Sequence, residues 1–477
     1  MRSLAILDGA KLGARSSVAR AYPWIAALLL GSFTYVFASQ ESDWPVMIPA
    51  LVLLNCAVIF LLVLSLPNLE MPVFEIGPMF AAVITLYGAI PLFQFQLRNG
   101  VYGSASDNRL WVSQPTAEEV GLIGWAHVAF LVAFAVGYLL VRQGRQFEVR
   151  MIEEIPNKQL MFAVIMLGIV LLLQFGIAII YDLSYSTYGE SYVVLEKLPQ
   201  GVKQINGHLS GIGFTLKVVI LCAVFLKVAN PVRLVALWLG FEFVLLLVKM
   251  GVRTYFMLFF AVAVLFFHVF VRRVSVLALL GVGTSILVVF LLLGSIRNTS
   301  LEEAFAESGI WEQSNEMEAV FANALDIMQQ KSRNMISLPP EAQVSELTAF
   351  IPQQLLPFQK FDYTQWYARL TYEREGHTSA FGSISQALAG YGWPELLLRG
   401  FLTGMAFAGL HRYFAKNSEK WLHCAAYAWL IAMAYHSFRA TSLQPFAVFF
   451  LEALPVLLVM QVIPRPDLGT RLIRLRG

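Results

Sequence analysis

A succession of apolar windows, each roughly 18 to 23 residues long, limits what this chain can become. A helix rising about 1.5 Å per residue crosses about 30 Å of hydrocarbon in that length. The windows fall near 21–38, 46–67, 72–94, 120–141, 159–181, 209–228, 232–249, 251–270, 274–294, 394–411, 421–437 and 442–463. Inside lipid a helix satisfies every backbone N–H and C=O within its own segment. The pattern therefore predicts an all-α polytopic membrane protein with about twelve transmembrane helices. Composition agrees, because 58% hydrophobic residues, 14% charged residues and a mean hydropathy of +0.65 exceed what a soluble core absorbs. A net charge of +3 gives no support for nucleic acid as a partner; membrane lipids are the expected surroundings.

The placement of the charges sets the expected orientation. If the first span runs outward, the inner segments collect Arg2, Lys11, Arg15, Arg20, Arg142, Arg145, Arg150, Lys158, Lys227, Arg233, Arg272, Arg273, Arg412, Lys416, Lys420, Arg465, Arg471, Arg474 and Arg476. The short outer loops hold Arg98, Arg109, Lys197, Lys203 and Arg439. Nineteen basic residues against five predict both termini in the cytoplasm, since cytoplasmic loops retain Lys and Arg. The N-terminus lacks a short apolar core with a small-residue cleavage site, so no removable signal peptide is expected. Cys56, Cys222 and Cys424 all fall in apolar spans, and the seven histidines are scattered without ligand spacing. Neither a disulfide frame nor a metal site is expected, and no cofactor is implied.

Residues 297–392 are the one long polar interruption, an external loop between the ninth and tenth spans of a single integral domain covering 1–477. The loop opens with a capping-box pattern, Ser300 and Glu303. An amphipathic helix is expected next, its apolar stripe formed by Met317, Val320, Phe321, Ala324, Leu325 and Met328. Glu316, Asn323 and Asp326 fall on the opposite, polar face. A loop this long and this rich in Trp, Phe, Leu and Ile is expected to carry function.

Charges inside the spans need partners or roles, since each costs on the order of 3 kcal/mol at a span centre. Lys217 and Glu242 lie at matching depths in neighbouring antiparallel spans and are expected to pair. Glu452, well inside the last span, is either hydrogen-bonded within the bundle or a proton acceptor. Arg253 follows Lys249 and Gly251 at the outer mouth of the eighth span. It is either a snorkelling side chain or an anion ligand, since a guanidinium fork matches phosphate oxygens. Arg297, Arg369, Arg374, His377, His436 and Arg439 gather on the same side, where they focus a positive field.

The Gly251-x-Arg253 pair, the Gly294-Ser295-Ile296-Arg297 exit and the run Gly376-His377-Thr378, Phe381-Gly382, Gly390-Tyr391-Gly392 and Gly400 resemble features of a known family. These are the Wzy-type polymerases of O-antigen and exopolysaccharide repeat units, and the resemblance covers roughly 209–410. It implies a GT-C-like polymerase or ligase bundle in the bacterial inner membrane with its active face toward the periplasm. The implied reaction moves a glycan from an undecaprenyl-diphosphate carrier onto the next carrier-linked repeat unit. A chain-length regulator or a flippase is the implied protein partner. Arg253 corresponds to the family's membrane arginine and would hold the diphosphate, with Arg297, Arg439 and Lys249 as further cations. The acceptor hydroxyl needs a base, for which His377, Glu316 and Glu318 are the candidates, with Glu375 also eligible. The chain lacks a Walker loop, a GxGxxG turn after a strand and an Asp-x-Asp pair, in keeping with a donor that is already activated. Three other readings share this topology: a ligase moving the polymer onto a lipid A core, a cell-wall glycan polymerase, and a twelve-span solute transporter. The transporter reading fits less well, because the longest loop is external and off-centre.

Overall fold

The computed structural model describes residues 44–64, 75–98, 114–142, 151–182, 198–248, 253–272, 274, 316–372, 380–463 and 472–474. Helices α1 (Trp44–Leu64), α2 (Ile76–Leu97), α3 (Ala117–Arg142), α4 (Asn157–Ile180), α5 (Gln200–Lys227), α6 (Pro231–Val248) and α7 (Arg253–Phe266) precede the polar segment 297–392. That segment contributes α8 (Glu316–Ser332), α9 (Pro340–Leu347), α10 (Tyr363–Tyr372) and α11 (Ser383–Ala389). The chain then forms α12 (Trp393–Lys416), α13 (Trp421–Met433), the single turn α14 (His436–Arg439), α15 (Gln444–Val448) and α16 (Leu454–Val462). Every predicted apolar window coincides with a helix except 21–38 and 274–294, which lie outside the described residues. Among the described residues, five helices are long and apolar enough to cross a membrane: Ile76–Leu97, Ala117–Arg142, Asn157–Ile180, Gly201–Lys227 and Gln444–Val462. The chain is thus a helical membrane protein.

Several boundaries differ from the hydropathy windows for local reasons. Helix α5 starts at Gln200 rather than near 209, because its first turns carry Lys203, Gln204, Asn206 and His208, which lower hydropathy without breaking a helix. The eleventh window breaks after Met433 into a turn and α14. In the last window Pro455 lacks the N–H that would close the α-helical ladder. A π turn over Phe449–Ala453 there joins α15 to α16.

The core is the contact of α3 with α12. An added Cβ on Gly404 would sit 2.2 Å from the Phe134 carbonyl oxygen, and one on Gly400 would sit 2.7 Å from that of Phe130. From the other side, a Cβ on Gly137 would meet the Phe401 carbonyl at 2.2 Å. The two backbones therefore touch, as small residues allow where apolar burial gives no net drive in lipid. Beside them Phe80 of α2 packs on Phe134 and Phe407, each at a centroid distance of 4.9 Å. By contrast α4 keeps only Gln159, Ala163 and Val170 buried and presents the rest of its apolar surface outward.

The two ends of the bundle differ. At one end Glu75 accepts from Arg142 Nε at 2.7 Å and from the Tyr138 hydroxyl at 3.2 Å, beside His411, whose Nδ1 lies 2.7 Å from the Tyr427 hydroxyl. The same end carries the two-stranded pairing of β1 (Met151–Glu153) with β2 (Leu472–Arg474), and Glu153 N donates to Glu419 O at 2.8 Å. Three of the segments expected on the cytoplasmic side thus meet one another. Helices α8 to α11 gather at the opposite end, where α8 packs against α2, α3 and α11.

Candidate functional site

At the end where α8 to α11 gather, the first feature is the burial of α8 on both faces. Val320, Phe321, Ala324 and Leu325 of the expected apolar stripe are buried, as predicted. The expected polar face is not a working surface. Asn323 and Asp326 are fully buried, Asn323 donating to Ala380 O at 2.6 Å. Asp326 accepts from the Tyr367 hydroxyl at 2.6 Å, from Gln330 at 2.9 Å and from Thr371 at 3.2 Å. The physical reason is that α10 and α11 close over that side, and a buried carboxylate must collect donors.

The predicted site residues divide accordingly. Lys249, Arg297 and His377 lie outside the described residues, as does Glu375. Arg253 is the first residue of α7 and Glu316 the first of α8. Glu318 is buried and forms an ion pair with Arg98 at 2.5 Å, with a second contact at 3.4 Å. It clasps the end of α2 to α8, and in this arrangement its carboxylate holds a guanidinium instead of standing open to an acceptor hydroxyl. Arg439 ends α14, half-buried, one turn after His436.

Helix α11 seats this end of the molecule. All seven of its residues are buried, Gly382 at its start has φ +89° and Gly392 just beyond its end has φ +74°. Those left-handed values are what glycine supplies at little steric cost. Lys331 Nζ donates to Leu388 O at 2.7 Å, to Ala389 O at 3.2 Å and to Gly390 O, satisfying the carbonyls that a helix end leaves open. Burial pushes the Lys331 ammonium pKa down, while Glu395 pulls the other way. Burial likewise raises the Tyr363 phenol to about 12, against its interaction with Gln386.

Between α2, α7 and α13 lies a cavity of about 170 Å³, lined by Phe80, Val83, Val262, Leu265, Ile431 and Tyr435 among others. Its walls are almost wholly apolar, and a space of that size accepts a benzene-sized hydrocarbon group. Two of the segments that line it also carry candidate cations outside the cavity, Arg253 at least two turns before Val262 and Arg439 one turn after Tyr435. Helix α7 begins at Arg253, and four residues beyond Tyr435 the chain reaches Arg439. The end of α7 that carries Arg253 is fixed by its neighbours: Phe256 packs on Phe243 of α6 at 5.7 Å, next to Glu242.

No family model, curated protein or solved structure matches this chain. Function therefore rests on the residues themselves.

Three of the charges in the spans, Lys217, Glu242 and Glu452, have the partners expected of them. Lys217 Nζ donates to Glu242 at 2.6 Å, and Trp238 Nε1 adds a bond at 3.2 Å. Glu452 is hydrogen-bonded within the bundle: His208 Nδ1 lies at 3.1 Å, and the carboxylate rests on Gly211, where a Cβ would approach its oxygen to 1.5 Å. Sequence reasoning missed Arg399, which pairs with Glu346 at 2.5 and 2.6 Å and with Glu395 at 2.5 Å. The rule applied to Lys217, that a charge within a predicted span demands a partner, also marks Arg399. The Glu75–Arg142 network had no comparable signal, because both residues sit at span ends where charge is unremarked.

Proposed function

We propose that the protein is a glycosyltransferase that polymerises polyprenyl-diphosphate-linked oligosaccharide repeat units at the outer face of a bacterial cytoplasmic membrane. The observation that supports this reading is the apolar cavity lined by Val262 and Leu265 of α7, the helix that begins two to three turns earlier at Arg253, and by Tyr435, four residues before Arg439. A lipid diphosphate has the matching parts, a hydrocarbon chain of which a benzene-sized portion would enter the cavity and phosphate oxygens for guanidinium forks.

In the proposed reaction an acceptor hydroxyl oxygen attacks the anomeric carbon of the donor glycan. The new glycosidic bond forms as the bond from that carbon to the carrier phosphate oxygen breaks, and its electron pair leaves with the polyprenyl diphosphate. Arg253, with Arg439, Arg297 and Lys249, would meet the charge that develops there. The hydroxyl proton passes to a base, for which His377 is the favoured group and Glu316 the second. Glu318 falls behind both, because Arg98 already occupies it.

Purified protein incubated with lipid-linked repeat units should yield a ladder of longer glycans. Arg253→Ala should lower the rate roughly a hundred-fold or more, the loss typical of removing one group that stabilises transition-state charge. Normal ladders from that variant, in protein that still folds and inserts, would overturn the assignment. An unchanged substrate with the wild-type protein would overturn the activity itself. In a host lacking the chain, loss of polymer with single repeats still attached marks a polymerase. Accumulation of unattached carrier-linked polymer marks a ligase.

A further inference from the structure

Helix α9 and the turns that follow it are amphipathic in the inverse sense to a water-soluble surface helix. The small and polar residues face the protein. Ala342 and Ser345 are buried, the Tyr363 hydroxyl donates to Ala342 O at 3.1 Å, and Phe361 N donates to Ser345 Oγ at 2.7 Å. On the same side Glu346 is held by Arg399, and Lys360 Nζ donates to Ala349 O at 3.0 Å. The apolar residues face away: Val344, Leu347, Phe350, Ile351 and Leu355 are all exposed, Leu347 at 78% and Leu355 at 73%. Positions 344, 347 and 351 recur at helical spacing, with turn hydrogen bonds from Thr348 N to Val344 O and from Ile351 N to Thr348 O continuing the coil past α9, and Leu355 closes the short 3-10 turn that follows Pro352.

The neighbour of this patch fixes its depth. The Phe350 ring meets the Phe450 ring edge-on at 5.4 Å. Phe450 belongs to the continuous helical run Gln444–Val462, whose 19 residues match the length needed to cross hydrocarbon. Six residues from Gln444 correspond to about 9 Å along the axis. That same helix turns Phe450, Leu458, Val459 and Val462 outward, so its exposed apolar surface runs on into the patch. Peripheral helices bury their apolar faces about 5 to 10 Å into the boundary of headgroups and acyl chains, the same depth.

We infer that residues 344–355 form an interfacial wedge that inserts Leu347, Phe350, Ile351 and Leu355 into the lipid leaflet beside the last helix. The external segment is then seated on the bilayer, with its apolar partner supplied by acyl chains. This holds whether or not the protein transfers sugars.

Nitroxide labels at Leu347→Cys and Leu355→Cys test it in the full chain, reconstituted in phosphatidylcholine–phosphatidylglycerol vesicles. Exposed Cys56 is changed to Ser, while Cys222 and Cys424 are buried. Gln365→Cys, on the exposed side of α10, serves as the aqueous control. Collisions with lipid-soluble oxygen should exceed those with a water-soluble nickel chelate several-fold at 347 and 355, and the order should reverse at 365. Nickel dominating at 347 and 355 would overturn the wedge. So would low collision with both reagents, since that means protein covers the patch.

Discussion

Lys217 and Glu242 show how a single charge inside a span is tolerated. Their contact at 2.6 Å is reinforced by Trp238, and both side chains are mostly withdrawn from solvent, at 23% and 14% exposure. Removing one partner leaves the other charge uncompensated, which costs about 3–5 kcal/mol for a fully buried pair, so a loss at the low end is expected for Lys217→Met. The double variant Lys217→Met/Glu242→Leu should return to within about 1 kcal/mol of wild type, because two apolar groups need no partner. Thermal unfolding of the three variants in detergent tests this, and a double variant as unstable as the single one would refute it. This pair was legible in the sequence because both residues stand alone in apolar runs at matched depth. The candidate catalytic residues were less so. Glu318 carries the composition of a general base, yet Arg98, distant in sequence, occupies it. Asp326 carries that of an exposed acid, yet Tyr367 and Thr371 enclose it. Nothing in a one-dimensional pattern reveals which residues will be brought across a carboxylate by another helix.

Helices obey the hydrophobic period that the sequence announces, but the contacts between them depend on where side chains vanish. Gly400 and Gly404, one helical turn apart, bring α12 against the backbone of α3 inside the bundle. Gly404→Ala would place a methyl group 2.2 Å from the Phe134 carbonyl and 2.8 Å from Tyr138 N, backbone atoms that cannot rotate aside. Helices α3 and α12 must then separate, so this variant should lose folded protein or show a strongly lowered unfolding temperature. Gly409→Ala, on the same helix with nothing within 4 Å, should be neutral or slightly stabilising, since alanine favours a helix interior by up to about 1 kcal/mol. Equal effects of the two substitutions, measured by fluorescence-detected size exclusion after heating, would contradict backbone contact as the cause. What hydropathy could not reveal at this scale is where a helix stops within an apolar run. The break after Met433 and the π turn before Leu454 both fall inside windows that read as continuous spans, although His436, Ser437 and Arg439 follow the first and Glu452 lies in the second. Pro455 accounts for the second, whereas no glycine or proline marks the first.

The whole molecule is polarised along the bundle axis. Glu419, β1 and β2 gather at one end, and α8, α9 and α10 cover the other. Among the described residues, Arg142, Lys158, Lys227, Arg412, Lys416 and Lys420 lie in segments of the first end, and by the positive-inside rule such an end is expected to face the cytoplasm. The proposed chemistry requires that orientation, because it would have Arg253 and Arg439 meet a flipped lipid-linked donor on the extracytoplasmic side. Exposed Glu419 and Gln365 therefore make opposed reporters. In a background with Cys56→Ser, a membrane-impermeant maleimide should label Gln365→Cys in intact cells and leave Glu419→Cys unreacted; inverted vesicles should exchange the two. Labelling of both from one side would mean that the bundle does not separate two compartments along this axis. A full reversal would keep the fold and the lipid wedge but turn the arginines toward the cytoplasm, where polymerisation outside the membrane is impossible. The orientation of the molecule, more than the identity of any one base, therefore decides whether its cationic rim can serve an extracytoplasmic glycosyl transfer.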